Sequence, residues 1–120
     1  MRRQEEMGMQ FRAVVLATAM LAFSSAPAWS VRIIGYGLES CGEWTYVRRT
    51  ENATNLLYAS WALGYLSGVN AANENFTKKD LLERQDARGL LAWMDNYCRA
   101  NPLDKIGKAL GMLVNELLKR

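Results

Sequence analysis

The sequence predicts an all-α protein, a small bundle of three to four helices with one disulfide, preceded by a signal peptide. Three observations carry this. Apolar residues recur at three- and four-residue spacing in three stretches, near 57–69, 87–98 and 103–117. Residues with helix-capping chemistry, Asp86 and the pair Asn101-Pro102, stand at the starts of two of them. The chain has two cysteines, Cys41 and Cys98, behind a leader of the secretory type.

Residues 1–30 read as that leader. Arg2, Arg3 and Arg12 precede an apolar run of eleven residues from Ala13 to Phe23, and S-S-A-P-A-W-S follows it. The run is short for a membrane span, which needs about 20 residues. Ala28 and Ser30 occupy the small positions of a cleavage site, which predicts cutting after Ser30, with a cut after Ala28 as the alternative. Neither site has the following cysteine that a lipid anchor needs. Glu5 and Glu6 are out of place in a basic leader, and translation from Met7 or Met9 rather than Met1 gives a cleaner one.

Residues 31–120 form the expected single domain, with an irregular or short-helix segment at 31–54 and a helical core at 55–120. This part carries 12 basic and 10 acidic residues, a balance too even to attract nucleic acid. Secretion places Cys41 and Cys98 where disulfides persist. Two cysteines allow one intramolecular pairing, with an intermolecular bridge as the alternative. Closing a loop of this length stabilises by about 4 kcal/mol in the chain-entropy model.

From Val31 the chain reads as an extended lead-in, and Ser40 caps a short helix through Cys41, Trp44 and Arg48. The next helix is expected over 55–72. Leu57, Tyr58, Trp61, Ala62, Tyr65 and Val69 share one face, and beside them runs a ridge of small residues, Ser60, Gly64, Gly68 and Ala72. Such a ridge admits a closely packed second helix, and two mid-helix glycines cost roughly 1 kcal/mol each against alanine. No charge occurs between Glu51 and Glu74. With G-x-x-x-G this could mark a membrane helix pair, but six Asn and Ser residues interrupt the stretch and favour a helix buried in a core. Thr77 and Asp80 resemble a capping box for a turn through Leu81 and Leu82. A further helix runs from Asp86 to Arg99, with Ala87, Leu90, Leu91, Met94, Tyr97 and Cys98 inward. Asn101 and Pro102 open the last, whose stripe is Leu103, Ile106, Leu110, Leu113 and Leu117. Acid–base pairs four apart, Asp80–Arg84, Asp95–Arg99, Asp104–Lys108 and Glu116–Arg120, mark solvated faces.

Catalytic chemistry is not visible. The chain has no histidine, which excludes histidine-based triads and most zinc sites. The acids lie on outer faces beside bases, Ser60 and Ser67 read as packing residues, and no phosphate loop or calcium loop occurs. No enzyme activity, cofactor or metal is expected. Asn52-Ala53-Thr54 and Asn75-Phe76-Thr77 match the glycosylation pattern, relevant only to a eukaryotic secretory route. Among the aromatic residues Trp61, Tyr65 and Trp93 are the candidates for contact with a partner.

Cys41-Gly42-x-Trp44, the run Trp61-Ala-Leu-Gly64-Tyr65-Leu-Ser-Gly68, and Trp93-Met-Asp-Asn-Tyr97-Cys98-Arg-Ala-Asn101-Pro102-Leu-Asp104 resemble small bacterial periplasmic proteins of the HdeA/HdeB kind. The resemblance covers residues 40–120 and implies a helical, disulfide-bridged, acid-activated chaperone. The G-Y-L-S-G-V segment is also similar to immunity proteins of type VI secretion amidase effectors, the Tai kind, which carry more cysteines. Neither resemblance implies a catalytic residue. The expected function is a secreted or periplasmic non-enzymatic binding protein, a chaperone of acid or envelope stress that holds unfolding clients through apolar surface. The alternative is an inhibitor or immunity protein for a single toxin or cell-wall hydrolase. A homodimer is compatible with either, and stable membrane insertion after leader removal is not expected.

Overall fold

The computed structural model describes residues 32–120. The leader, its cleavage point and the choice among Met1, Met7 and Met9 lie outside the described residues. Four helices follow a single 3-10 turn at Tyr36–Leu38. They are α1 (Cys41–Arg48), α2 (Ala53–Thr77), α3 (Ala87–Ala100) and α4 (Ile106–Leu118). Among the described residues the only β pairing is an isolated antiparallel bridge between Ser40 and Lys105.

Helix α1 starts where a side chain can satisfy its free amides. Ser40 is extended, and its Oγ accepts from the Glu43 N–H at 3.0 Å. Two further orphan amides of that first turn find carbonyls from far along the chain: Cys41 N–H donates to Asp104 O at 2.8 Å and Gly42 N–H to Pro102 O at 2.9 Å. Cys41, Trp44 and Val47, three apart, form the buried face.

Helix α2 is capped by Asn52, whose Oδ1 accepts from the Thr54 and Asn55 N–H groups. It runs 25 residues, five beyond the expected end at 72. The extension has a cause in asparagines that read as interruptions. Asn70 Oδ1 accepts from the Leu81 N–H at 2.7 Å, Asn70 Nδ2 donates to Asp80 at 2.8 Å, and Asn73 Nδ2 donates to Lys79 O at 2.8 Å. They tie the returning chain to the helix. Thr77 and Asp80 therefore do not form a capping box. Thr77 Oγ1 donates back to Asn73 O inside α2, and Asp80 Oδ1 accepts from the Leu82 N–H in a local turn. The buried face is Tyr58, Ala59, Ala62 and Leu66. Leu57, placed inward by spacing, is half exposed.

Helix α3 begins as expected, with Asp86 Oδ1 accepting from the Gly89 N–H at 2.7 Å. Leu90, Met94 and Cys98 point to the core. Asn101 ends this helix instead of opening the next: its backbone N–H and its Nδ2 both donate to Tyr97 O. Residues 102–105 are claimed by the segment before α1, because Ile106 N–H donates to Glu39 O at 3.0 Å beside the Ser40–Lys105 bridge. That pairing delays α4 to Ile106 and leaves Leu103, expected in the core stripe, 94% exposed. Ile106, Ala109, Leu110, Leu113 and Leu117 fill the core from α4.

The core centres on Trp44, Met94, Ile106, Leu110 and the Cys41–Cys98 disulfide, all fully buried, and contains no buried polar or charged residue among the described residues. The lead-in is packed by close approach. A Cβ on Gly37 would lie 2.5 Å from the Trp61 ring, and one on Gly107 would lie 2.6 Å from Ile33 Cδ1 and 3.1 Å from Gly37 O. Glycine at both positions lets the chain lie flat over Trp61 and against α4.

Candidate interaction surface

The sequence singled out three groups of residues, and the fold treats each differently. Cys41 and Cys98 are bonded, with Cα atoms 4.6 Å apart. This fixes the start of α1 to the last turn of α3. The ridge Ser60, Gly64, Gly68 and Ala72 faces away from the core, and all four residues are exposed. A Cβ on Gly64 or Gly68 would meet nothing within 4 Å. Among the described residues the ridge therefore receives no packed helix, contrary to the expectation from its spacing. Helical geometry explains this: the ridge lies on the side of α2 opposite Ala59, Ala62 and Leu66.

Trp61 and Tyr65 are half-buried and stacked, with ring centroids 5.8 Å apart. Trp61 is roofed by the lead-in at Gly35 and Gly37. Trp93 is also half-buried and stacks on Tyr97 at 5.3 Å. The three candidate contact aromatics thus sit in two separate stacked pairs, one on α2 and one on α3.

Two polar clusters brace the frame. In the first, Asp95 joins α3 to α1. It accepts from buried Trp44 Nε1 at 2.8 Å and takes a two-pronged ion pair from Arg48, at 2.9 and 3.1 Å. The Arg48 guanidinium lies over the Trp44 ring at 5.8 Å, and its Nη1 donates to Asn55 Oδ1 at 2.8 Å, reaching α2. Asp95 was expected to pair with Arg99, four residues on. The competing Arg48 wins because it brings two parallel N–H groups and a stacked, oriented guanidinium. Spacing rules see only neighbours on one helix, so they could not reveal a partner 47 residues away.

In the second cluster Tyr97 Oη donates to Asp104 Oδ2 at 2.8 Å, and Lys108 Nζ donates to Asp104 Oδ1 at 2.8 Å. The hydrogen bonds from Lys108 and then Tyr97 hold the Asp104 carboxyl below its ordinary range. The same carboxylate pushes Tyr97 and Lys108 upward. Of the other expected pairs, Glu116–Arg120 forms at 3.7 Å, while Asp80 engages Asn70 rather than Arg84.

Apolar side chains also face outward. Ile34, Leu38, Leu56, Leu57, Phe76 and Leu103 are each more than half exposed. No helix of the described residues is long and apolar enough to cross a membrane, and the described residues contain no group of three His, Cys, Asp or Glu placed to hold a metal ion.

Fold and surface together define a disulfide-braced, all-α domain that exposes several large apolar side chains. No protein-family model, curated protein or solved structure matches the chain.

Proposed function

We propose that the protein is a non-enzymatic binding protein of an oxidising compartment, periplasmic or secreted, that holds unfolding proteins under acid or envelope stress. The observation that supports this reading most is the outward apolar surface. Leu56, Leu57 and Phe76 stand on α2, a helix with no charge between Glu51 and Glu74. Single exposed apolar residues are ordinary, but a long charge-free stretch on a helix with one side open to solvent is not, and apolar side chains exposed on such a helix serve interaction. A holder also needs a frame that stays compact while packing loosens, and the buried Cys41–Cys98 bridge supplies one. Acid acts on the Tyr97–Asp104–Lys108 clasp, which loses its central charge once Asp104 is protonated. The test is light scattering of an acid-labile client at pH 2, with and without the protein. Suppressed aggregation is the expected result. Unchanged aggregation together with native tryptophan fluorescence removes this reading.

A second reading, an inhibitor or immunity protein, draws support from one separate feature. Leu103 is 94% exposed at the tip of a turn fixed by Pro102, by the Asp104 N–H to Asn101 O bond, and by two bonds to the start of α1. A rigid turn presenting a leucine loses little freedom on docking into a partner's apolar cleft. Here one stoichiometric partner at neutral pH is expected, and Leu103→Asp abolishes its binding.

A further inference from the structure

Between α1 and α3 lies a recess of about 180 Å³ lined by Thr45, Arg48, Arg49, Asp95 and Arg99. Three arginines and a single acidic residue line it. Asp95 neutralises Arg48, and among the described residues neither Arg49 nor Arg99 has a carboxylate within ion-pair distance. The one side-chain bond of Arg99 is to the neutral Asn96 amide oxygen, at 3.1 Å. Two uncompensated positive charges therefore border the same small concavity. Helix dipoles favour arginine in the last turns of α1 and α3. They do not require these arginines to converge.

Arg48 adds orientation to charge. Asp95 takes two of its five N–H groups and Asn55 a third, so the guanidinium plane is set and two donors remain. The volume suits one oxyanion group and falls below the roughly 300–1,000 Å³ typical of sites for larger ligands. We propose that this recess is an oxyanion site that takes a single carboxylate or phosphoryl group between Arg48, Arg49 and Arg99. The group comes either from an acidic peptide segment or from a free phosphate. The site is separate from the apolar surface on which the proposed function rests, and either can fail without the other.

The test is a titration of the ¹⁵N-labelled protein at low ionic strength, followed through arginine side-chain and backbone N–H signals. Inorganic phosphate is used in one arm and a short acetylated Asp/Glu peptide in the other. Saturable shifts confined to residues 45–49 and 95–99 are expected in at least one arm, and the arm that saturates identifies the source. The double variant Arg49→Gln/Arg99→Gln, whose changes are on exposed side chains, should keep the melting temperature and weaken binding at least about tenfold. Lys119→Gln, on the last residues of the chain, should leave binding unchanged. Absence of saturation in both arms, shifts that chloride reproduces, or full binding by the double variant overturns the proposal.

Discussion

Lys78 closes α2 in the left-handed region, at φ 58°, while its N–H donates to Glu74 O. A side chain with a Cβ is strained there, and glycine is the usual occupant. Lys78→Gly should therefore raise stability by about 0.5–1 kcal/mol, read from urea unfolding with an unchanged slope. Asp95 is the opposite case. Asp95→Ala removes the acceptor of the Trp44 indole N–H, in a fully buried side chain, and the partner of Arg48. A loss of about 2–3 kcal/mol and a changed Trp44 emission are expected. An intact unfolding midpoint would show that Arg48 and Trp44 find other partners. Neither residue's role is legible in the sequence. The αL position of Lys78 follows from where Asn70 and Asn73 tie down the returning chain, and the partner of Asp95 follows from how α1 lies on α3. Ser40, Asn52 and Asp86 act within three residues of themselves, and two of these caps, Ser40 and Asp86, could be read directly.

The elements divide along the same line. The existence of α2, α3 and α4 follows from apolar spacing, because that periodicity records a buried stripe whatever the stripe meets, whereas α1 is signalled by its Ser40 cap. Ends and faces do not follow when a distant segment competes. Residues 102–105 have the composition of a helix start, yet their backbone satisfies α1 instead, and α4 begins four residues after Pro102. The small ridge of α2 shows that periodicity reports what could pack and not what does. Because a Cβ at Gly64 meets open space, Gly64→Ala should stabilise by about 0.5–1 kcal/mol through helix propensity alone. Gly37→Ala, which drives a methyl into the Trp61 ring, should destabilise by about 1–3 kcal/mol. Thermal melts of the two variants should move in opposite directions. Equal shifts would mean that the lead-in does not lie over Trp61 in solution.

At the scale of the molecule, pH acts from both ends through one clasp. Asp104 has a lowered folded-state pKa, so its stabilisation is complete above the ordinary carboxylate value near 4 and is lost as pH falls through the lowered one. Tyr97 and Lys108 have raised values, so their stabilisation is complete below about 10 and is lost as pH rises through the raised ones. Melting temperature against pH should show a plateau between these limits, and Asp104→Asn should flatten both edges. In acid the 10 carboxylates of residues 31–120 lose their charge while the 12 bases keep theirs, which adds self-repulsion to the loss of the clasp. The bridge resists the expansion, and Cys98→Ser should cost roughly 2–5 kcal/mol. Both sulfurs lie in residues with no solvent exposure, within the same buried cluster as Trp44 and Met94. A thiol reagent cannot reach them without parting α1 from α3. Oxidation therefore takes place before the core closes or while it is transiently open. Once the core has closed, the rate at which a small reductant cleaves the bond becomes a clock for spontaneous opening of the native protein.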